Sequence, residues 1–512
     1  MKFPLSNQTI EKSDKENTII PLLAKEKKDP SILSLRPYQS EAILQLRGAF
    51  RSQKKKVILC LPTGAGKTYT FSDLAKKTID KGGKVLILTH RVELLTQANG
   101  ALSKVGLNPF IIQANCKHIH PSSCYVAMVE TLYRRLQKPE FVQVIGNITL
   151  IIIDECHLGN FRKVLELFPD VHIIGATATP ISSKKEFPLK DFFDEIIVPI
   201  DIPSLILMGF LASARTYGAI EEVSNLKTKM GEYTDASLMG AFDKKLMYDD
   251  AINHYKDFAQ GRKAICFNIN IEHSLKMRDA FRDAGIRCEH LDGEISETER
   301  KRILASFKKG EFEVLCNVGV LTTGFDEPSI SCIIVNRATK STSLYFQMCG
   351  RGSRILEGKE DFIIIDMGSN FKEHGLWNEP VNWKERFLNP KKPSKNAGVA
   401  PVKECPECNA IIPAVSKLCQ HCGFKYTKEV ETKELLRSAG FVEITPSDLN
   451  KPANKMSVRE VEAFRLLRGY KIGWAVHQLR ERGRTALEEY AQLKNYKAGW
   501  VNHQMEEEYV NI

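Results

Sequence analysis

Short apolar runs alternate with longer amphipathic segments along most of the chain. The runs that we interpret as strands lie at residues 57–61, 85–89, 149–154, 171–175, 264–268, 313–317, 332–336 and 362–366. Continuous apolar runs are typical of parallel strands buried on both faces, and helices between them are typical of βαβ units. The pattern therefore predicts two α/β domains, each with a doubly wound parallel sheet. The polar segment between them, residues 213–250, has few strand features.

The first run leads into a glycine-rich loop, Leu61-Pro62-Thr63-Gly64-Ala65-Gly66-Lys67-Thr68, which precedes a helical segment. Such a loop directs backbone N–H groups and a helix N-terminus at a phosphate. We expect Lys67 to reach the β- and γ-phosphates of ATP and the Thr68 hydroxyl to hold Mg²⁺. The strict pattern begins with Gly where this chain has Leu61, and a plain turn is the alternative interpretation.

A later strand, residues 149–153, ends in Asp154-Glu155-Cys156-His157. Open α/β sheets bind ligands at the carboxyl ends of their strands. We expect Asp154 to complete the Mg²⁺ site and Glu155 to orient or deprotonate the attacking water. Solvated acids at an ordinary strand end are the alternative.

Two segments of the second domain, residues 317–328 and 347–354, carry further candidates. Arg351 and Arg354 are three residues apart, so on a helix they would share one face. An arginine inserted from across a cleft stabilises charge on the transferring γ-phosphoryl group, which makes hydrolysis depend on domain closure. A solvated basic face is the alternative.

Three weaker features fit the same cleft. Gln39 has the donor and the acceptor needed to contact an adenine edge. The segment Thr89-His90-Arg91 is a candidate for a nucleic-acid phosphate contact, and residues 175–180 are a candidate for coupling the domains. Turns at strand ends are the alternative for both.

Taken in order, residues 35–370 resemble a superfamily two helicase or translocase. The matching positions, from the adenine-contacting motif through motifs I, II, III, V and VI, are Arg36 and Gln39, Lys67 and Thr68, Asp154 to His157, Thr177 and Thr179, Gly324 and Asp326, and Gln347, Arg351 and Arg354. The segments 35–39, 61–67, 321–326 and 350–354 look closest to the RadD-type DNA repair branch. Type III restriction motors and XPB-like translocases look more distant. The resemblance implies two tandem RecA-like domains and ATP-dependent translocation on DNA, with 3′-to-5′ unwinding as an option.

The resemblance also assigns roles to residues. Those expected to bind ATP or Mg²⁺ are Arg36, Gln39, Thr63, Gly64, Ala65, Gly66, Lys67, Thr68, Asp154, Gly324 and Asp326. Those expected to act in hydrolysis are Lys67, Asp154, Glu155, Gln347, Arg351 and Arg354. We expect His157, Thr177 and Gln347 to transmit the nucleotide state to the bound strand.

Two Cys-x₂-Cys pairs follow the second domain, at Cys405 and Cys408 and at Cys419 and Cys422. Four thiolates at this spacing suit tetrahedral Zn²⁺, and RadD-type proteins carry a similar ribbon. A pair of disulfides is the alternative. The ribbon is locally basic, so we expect it either to contact nucleic-acid phosphates or to be a structural staple.

Another group of metal-ligand residues, Cys116, His118, His120 and Cys124, has irregular spacing. We interpret it as a surface loop with incidental ligands, with a second zinc site as the alternative.

The C-terminal segment contains a repeat, in which residues 469–478 return as 495–504 with six of ten positions matching. Each copy predicts a helical hairpin with a glycine in the turn. We interpret the two tryptophans, Trp474 and Trp500, as packing residues. A docking module for a protein partner or DNA is the alternative.

Length and charge bound this picture. The chain has 512 residues, which suggests about three structural units, and a net charge of +11, which suits a polyanionic partner without excluding a basic soluble enzyme. No apolar run approaches the roughly 20 residues that span a bilayer. The 13 cysteines are mostly scattered singly within apolar runs, as expected of reduced core residues. We therefore expect a cytoplasmic protein without a membrane partner.

We predict a flexible N-terminal arm at residues 1–33, a RecA-like ATP-binding domain at 34–202, a second RecA-like domain at 203–385, a linker at 386–403, a zinc ribbon at 404–426 and an all-α tail at 427–512.

The predicted function is an ATP-dependent DNA helicase or translocase in repair, recombination or replication of a mobile element. Its expected cofactors are ATP, Mg²⁺ and Zn²⁺. We expect a monomer that contacts the backbone of single-stranded or forked DNA, with a protein partner at the ribbon or the tail. The alternatives are an RNA helicase and an ATP-gated DNA-binding platform that loads or recruits without separating strands.

Overall fold

The structure is a computed structural model. It describes residues 35–390, 402–426 and 456–506, except for residues 115, 117, 159–160, 183–186, 219–225, 230–231, 323, 415, 459–460, 463–464, 466–471, 495 and 497–498. The predicted N-terminal arm and most of the predicted linker lie outside the described residues.

Strands and helices alternate as the sequence predicts, although the strands Phe110–Ile112, Cys124–Met128, Glu195–Ile197 and Cys288–Leu291 were not among the predicted ones. The strands are β1 (Lys56–Cys60), β2 (Val85–Thr89), β3 (Phe110–Ile112), β4 (Cys124–Met128), β5 (Leu150–Asp154), β6 (His172–Thr177), β7 (Glu195–Ile197), β8 (Ser213–Gly218), β9 (Thr228–Lys229), β10 (Glu232–Tyr233), β11 (Ala264–Phe267), β12 (Cys288–Leu291), β13 (Val314–Asn317), β14 (Cys332–Val335), β15 (Asp361–Asp366), β16 (Val402–Glu404) and β17 (Ile411–Pro413). The helices are α1 (Pro37–Arg51), α2 (Lys67–Ile79), α3 (Val92–Lys104), α4 (Val129–Arg135), α5 (Pro139–Ile145), α6 (Arg162–Leu165), α7 (Ile202–Leu207), α8 (Asp235–Phe242), α9 (Lys245–Ala259), α10 (Ile271–Asp283), α11 (Glu297–Lys309), α12 (Thr342–Cys349), α13 (Asn370–His374), α14 (Trp383–Leu388), α15 (Ile472–Arg480), α16 (Arg484–Leu493) and α17 (Trp500–Glu506).

Polar caps mark where several helices begin. The N-cap side chain accepts a backbone N–H from the third residue after it in α7, α10, α11 and α12, at Asp201, Asn270, Ser296 and Ser341. These bonds satisfy N–H groups that have no partner inside the helix.

The first sheet is parallel throughout, with the strand order β3-β4-β2-β5-β6-β1-β7. Strands β5, β6 and β1 are neighbours, and the register pairs Asp154 with Ala176 and Cys60 with Thr177. Because the carboxyl ends of these strands meet at one edge, the glycine-rich loop and the acidic strand end lie side by side.

The second sheet has the order β12-β13-β11-β14-β15-β8-β17-β16. Strands β12 to β8 are parallel, whereas β17 joins β8 antiparallel at Ile411 and Thr216. The cysteine ribbon thus extends this sheet. These observations confirm the predicted fold class of two RecA-like domains with a small ribbon and a helical tail. The exact domain boundaries stay predictions.

The expectation that residues 213–250 contain few strands is wrong, because β8, β9 and β10 all lie in this segment. Strand β8 (Ser213–Gly218) lies there, between β15 and β17. Its residues alternate between buried and half-buried positions and include Arg215, so the segment has no continuous apolar run. A search for such runs misses strands of this type.

The two domains share one apolar core, which contains strand residues of both sheets such as Ile58 and Ile333. Helix α14 follows the second domain in sequence, yet Lys190 of the first domain donates to its Leu388 carbonyl at 3.2 Å. The Trp383 ring of α14 packs against Phe346 of α12 with centroids 5.6 Å apart. Helix α14 therefore contacts both domains.

Helices α15, α16 and α17 pack around a separate apolar cluster that includes Leu479, Leu487 and Tyr490. Trp474 and Trp500 are half-buried against this cluster, and the Trp500 ring lies 4.6 Å from that of Tyr496. This packing agrees with a structural role for the repeated tryptophans. None of the helices in the described part of the chain combines the length and apolar character needed to cross a membrane.

Candidate active site

The glycine-rich loop connects β1 to α2 and packs closely against Gln39 and Leu211. Gly64 and Gly66 have φ values of 92° and 79°, in the left-handed region that favours glycine. A Cβ atom on Gly66 would lie 2.6 Å from Gln39 Nε2, and one on Gly64 would lie 2.7 Å from Leu211 Cδ2. Both glycines are therefore required by backbone conformation and by close approach.

Lys67, at the start of α2, faces the acidic end of β5. Its Nζ donates to Glu155 Oε1 at 2.9 Å, and the two side chains are only 12% and 10% exposed. Asp154 Oδ1 accepts the backbone N–H of Glu155 at 3.1 Å. Glu155 itself has φ 51°, a conformation rare for a non-glycine residue and typical of functional sites.

Burial and neighbouring charges shift these carboxyl groups in opposite directions. Burial, reinforced by the Glu155 carboxylate, raises the pKa of Asp154 to about 7. Burial also acts to raise the pKa of Glu155, but the Lys67 ammonium and His157 outweigh it and hold that pKa well below its usual range. Glu155 is therefore ionised at neutral pH, whereas Asp154 would become fully ionised beside a cation.

A polar path leads from this pair to the second domain. His157 Nδ1 lies 3.0 Å from Thr177 Oγ1 and 3.3 Å from Glu155 Oε2, and its Nε2 lies 3.4 Å from Gln347 Nε2. The Thr177 hydroxyl donates to the Thr179 carbonyl at 3.2 Å. The Thr177 oxygen then accepts from Nδ1–H, and Nε2 is free to accept from the Gln347 amide. The residues predicted to transmit the nucleotide state are thus in contact.

The arginines predicted to share a helical face are not on a helix. Helix α12 ends at Cys349, and Arg351 and Arg354 lie in the loop that follows. The expectation of a shared helical face is therefore wrong. In this loop the glycines at 350 and 352 approach the side chains of Thr63 and Phe362 so closely that a Cβ atom would clash.

The two arginines have different surroundings. Arg351 donates to the carbonyl oxygens of Thr322, at 2.8 Å, and of Phe325. Burial lowers its pKa to about 10, so it remains charged at neutral pH. Arg354 Nε pairs with Asp326 Oδ1 at 2.8 Å, and its Nη1 lies 3.3 Å from the position of a Cβ on Gly64. Of the two, Arg354 is therefore placed against the phosphate loop.

Further contacts close the cleft between the domains. Gln97 Nε2 donates to the Gly324 carbonyl at 2.6 Å, and Arg91 donates to that of Gly319 at 3.1 Å. Gly324 and Asp326 were expected to bind nucleotide. In the structure they bond to protein, and a nucleotide contact of either residue stays a prediction.

Gln39 is also bonded within the protein. Its Nε2 donates to the carbonyls of Ala65 at 3.1 Å and Gly66 at 3.3 Å, and its Oε1 accepts from Arg36 N–H at 2.9 Å. The Tyr38 hydroxyl donates to Ala65 O at 2.7 Å. These bonds support the phosphate loop, and adenine contact by Gln39 stays a prediction.

Two residues of this region were missed by sequence reasoning. Tyr38 lies directly beside Gln39 in the motif, and this position could have indicated that Tyr38 also contacts the phosphate loop. Phe210, whose ring lies 4.4 Å from the Arg36 guanidinium and 5.6 Å from the Tyr38 ring, comes from the segment between the domains. No motif marks Phe210 in the sequence.

The four ribbon cysteines form a candidate metal centre. Their sulfur atoms lie within 4.8 Å of one another, with 3.7 Å between Cys405 and Cys422 and 3.8 Å between Cys408 and Cys419. A tetrahedron with Zn–S bonds of about 2.3 Å has sulfur atoms about 3.8 Å apart, so the donor set fits zinc. All four cysteines are free thiols, against the disulfide alternative.

The other group of candidate ligands is dispersed. Cys124 is buried in β4, the His120 ring packs on Phe110 at 5.6 Å, and Cys116 Sγ contacts the His118 carbonyl. Among the side chains that the structure describes, the ribbon cysteines alone gather as a metal-ligand group. This agrees with the interpretation of incidental ligands, but the expectation of a surface loop is wrong at Cys124, which lies in a buried strand.

Comparison with known proteins adds two family matches. The family of the type III restriction enzyme res subunit matches residues 32–182, and the helicase conserved C-terminal domain matches residues 246–356.

Similar proteins include a 51.5 kDa protein of Lactococcus phage (isolate 7-9), which is 30% identical over 82% of this chain and 88% of the phage protein. The Saccharomyces cerevisiae protein described as ATP-dependent helicase IRC3 is 32% identical over 65% of this chain and 51% of that protein. The chain thus spans about half the length of the yeast relative.

Among solved structures, a fragment described as the HsdR subunit of a type I restriction enzyme from Vibrio vulnificus superposes with a TM-score of 0.54. The two sequences are 25% identical, and the superposition covers 67% of this chain and 66% of the fragment. The particular closeness to RadD-type proteins stays a prediction.

Proposed function

Because the chain belongs to superfamily two of the helicases and translocases, we propose that it hydrolyses ATP between its two RecA-like domains to move along DNA. The observation that carries this proposal is the meeting of the phosphate loop, the Lys67–Glu155 pair and Arg354 in one interdomain cleft. Each domain supplies groups that the other lacks, so turnover depends on how the domains are placed.

The phosphate loop and the strand-end acids would hold the substrate. Loop N–H groups and Lys67 bind the phosphates, and the oxygens of Thr68 and Asp154 are the hard donors that suit Mg²⁺. When bound, Mg²⁺ supplies positive charge that neutralises the phosphates. It would also keep Asp154 ionised, against the raised pKa that burial gives this carboxyl group.

The Lys67 ammonium cannot remain fully paired with Glu155 while it also binds the phosphates. As its ammonium turns toward phosphate oxygens, Glu155 loses the partner that most lowers its pKa. The Glu155 carboxylate is then a better acceptor for a proton of the attacking water. Substrate binding therefore activates Glu155 through the movement of Lys67.

The polar contacts across the cleft would couple hydrolysis to motion. Gln347 meets His157, Arg91 meets the Gly319 carbonyl, and Gln97 meets the Gly324 carbonyl. A change at the γ-phosphate reaches Gln347 through Glu155 and His157. Cycles of closing and opening then advance the protein along the strand.

We infer that the strand is DNA, held by its backbone and without sequence preference. The net charge of +11 suits a nucleic-acid backbone, and the similarity to restriction-enzyme subunits favours DNA as the polymer. The motif resemblance to RadD-type proteins and the phage relative support a role in repair, recombination or replication of a mobile element.

The test is ATPase activity with matched single-stranded, double-stranded and forked DNA and with RNA, followed by strand-displacement and triplex-displacement assays. Preferential stimulation by DNA together with displacement of a strand or a third strand supports the proposal. Preferential stimulation by RNA would replace it with RNA helicase activity. Intact DNA-stimulated ATPase that displaces neither would instead support the binding platform.

A further inference from the structure

Lys359 lies between the two loops of the second domain that face the cleft. Its ammonium donates to the carbonyl oxygens of Pro328 at 3.1 Å and Gly352 at 2.7 Å, and also to that of Ile330. Pro328 and Ile330 end the segment 321–330, whereas Gly352 lies in the segment 350–354. A single side chain therefore joins the backbones of both loops.

The loops are also joined by the arginines, but in a different way. Arg351 bonds to the carbonyls of Thr322 and Phe325, and Arg354 pairs with Asp326. The guanidinium of Arg354 faces both Asp326, through Nε, and the phosphate loop, through Nη1. The bonds of Lys359 involve carbonyls of the second domain alone, so they do not depend on what Arg354 contacts.

We propose that Lys359 is a positioning residue that fixes the spacing of segments 321–330 and 350–354, so that Arg354 meets the γ-phosphate in a productive orientation. The inference rests on the proposed function, because it concerns the same ATPase cleft. Lys359 does not touch the reacting atoms and acts through Gly352 and the loop that carries Arg354.

The charge of Lys359 is sensitive to pH in the range where enzymes are assayed. Burial lowers its pKa to about 8, with Arg262 and Arg354 adding to that effect and Asp361 and Glu327 opposing it. As pH rises through 8, Lys359 loses a proton and one of three N–H donors. The hold on the loops then weakens, so kcat falls on the alkaline side.

The experiment compares Lys359→Met and Lys359→Arg with Lys276→Met as the matched control. Lys276 lies in α10 of the same domain, and its ammonium pairs with Asp243 and Glu272, which belong to neither loop. We expect Lys359→Met to lower kcat about tenfold or more with little change in KM for ATP, since misplacement of a catalytic group by about 1 Å can cost 10²-fold. We expect Lys359→Arg to retain more activity and to lose the alkaline fall, because guanidinium stays charged.

Hydrogen exchange supplies a readout that does not need turnover. Lys359→Met should speed exchange in segments 321–330 and 350–354, whereas Lys276→Met should not. Unchanged exchange in those segments, or a wild-type alkaline profile in Lys359→Arg, would overturn the inference even if the ATPase is nucleic-acid-dependent. A wild-type protein without ATPase activity would instead refute the proposed function, and exchange would still decide whether Lys359 holds the loops.

Discussion

The two RecA-like domains face the same cleft with opposite ends of their strands. In the first domain the site lies at carboxyl ends, after β1, β5 and β6. In the second, the residues that approach the phosphate loop, Leu211 and the segment 350–354, lie before β8 and β15, at the amino ends of those strands. Similar folds therefore contribute different chemistry.

The charge balance differs in the same way. In the first domain Lys67 is paired with Glu155 beside Asp154, so the carboxylates outnumber the cation. In the second, Arg351 and Lys359 are bonded to backbone carbonyls, whereas Arg354 is paired with the Asp326 carboxylate. A phosphate with a bound cation fits between these surfaces, because the acidic side suits the metal and the basic side suits phosphate oxygens.

The same contrast appears in two buried lysines. Burial acts to lower the pKa of Lys67, but the Glu155 and Asp154 carboxylates outweigh it, and the pKa is raised. Lys359 bonds to carbonyls instead of carboxylates, and burial lowers its pKa to about 8. Carbonyls satisfy the hydrogen bonds of an ammonium without neutralising its charge, so the second domain keeps a positive field.

Removing Arg354 from the basic side of the cleft should lower kcat the most. We expect Arg354→Ala to lower kcat by about 10³-fold or more, as for other arginines that stabilise a transferring phosphoryl group. Single-turnover phosphate release measures the loss. Arg302→Ala, which removes an exposed arginine paired with Glu299, is the matched control and should be silent. Near-normal turnover in Arg354→Ala would mean that another group stabilises the phosphate.

Replacing Glu155 on the acidic side of the cleft should lower kcat somewhat less. Glu155→Gln keeps the shape of the side chain but removes the proton acceptor, so we expect kcat to fall about 10²-fold or more without loss of folding. Steady-state ATPase and thermal unfolding report the two quantities, with the exposed Glu166→Gln as control. Retention of wild-type ATPase would show that Glu155 has no role in activating water.

Removing the contact between Gln347 and His157, which joins the two domains, should lower the ATPase rate less than either change above. Gln347→Ala removes the bond to His157, and a hydrogen bond of ordinary strength corresponds to a loss of about threefold to tenfold. We expect the loss in DNA-stimulated ATPase, with nucleotide affinity nearly unchanged. An equal loss in nucleotide affinity would place Gln347 at the nucleotide instead of in the coupling path.

The cysteine ribbon, as a candidate zinc site, should affect stability more than turnover. Replacing Cys405 and Cys408 by serine should release one equivalent of zinc and lower the melting temperature, because β17 pairs with β8 of the second sheet. Metal analysis and thermal unfolding of the wild-type protein and the double variant check this, with Cys116→Ser as the control. One equivalent of zinc left after the double substitution would restore the irregular Cys116 group as a site.

The first domain was more accessible to sequence reasoning than the second. Its site follows the rule that ligands bind at carboxyl strand ends, so Lys67, Asp154 and Glu155 could be placed together from the pattern alone. Their mutual ion pair and the left-handed conformation of Glu155 depend on packing and could not be predicted.

The second domain required contacts that no local pattern encodes. Arg354 was identified from its motif, but its loop position depends on glycines that touch the first domain and β15. Lys359 lies outside the recognised motifs and bonds to backbone groups up to 31 positions away. Strand β8 was missed because its burial alternates.

The most direct test of the central claim is the rate of phosphate release by the wild-type protein with and without nucleic acid. Closure of the cleft on a bound strand predicts that DNA raises the rate by about tenfold or more, within the usual range of coupling between sites. A rate that is the same with every DNA and RNA strand, whether single, double or forked, would contradict it.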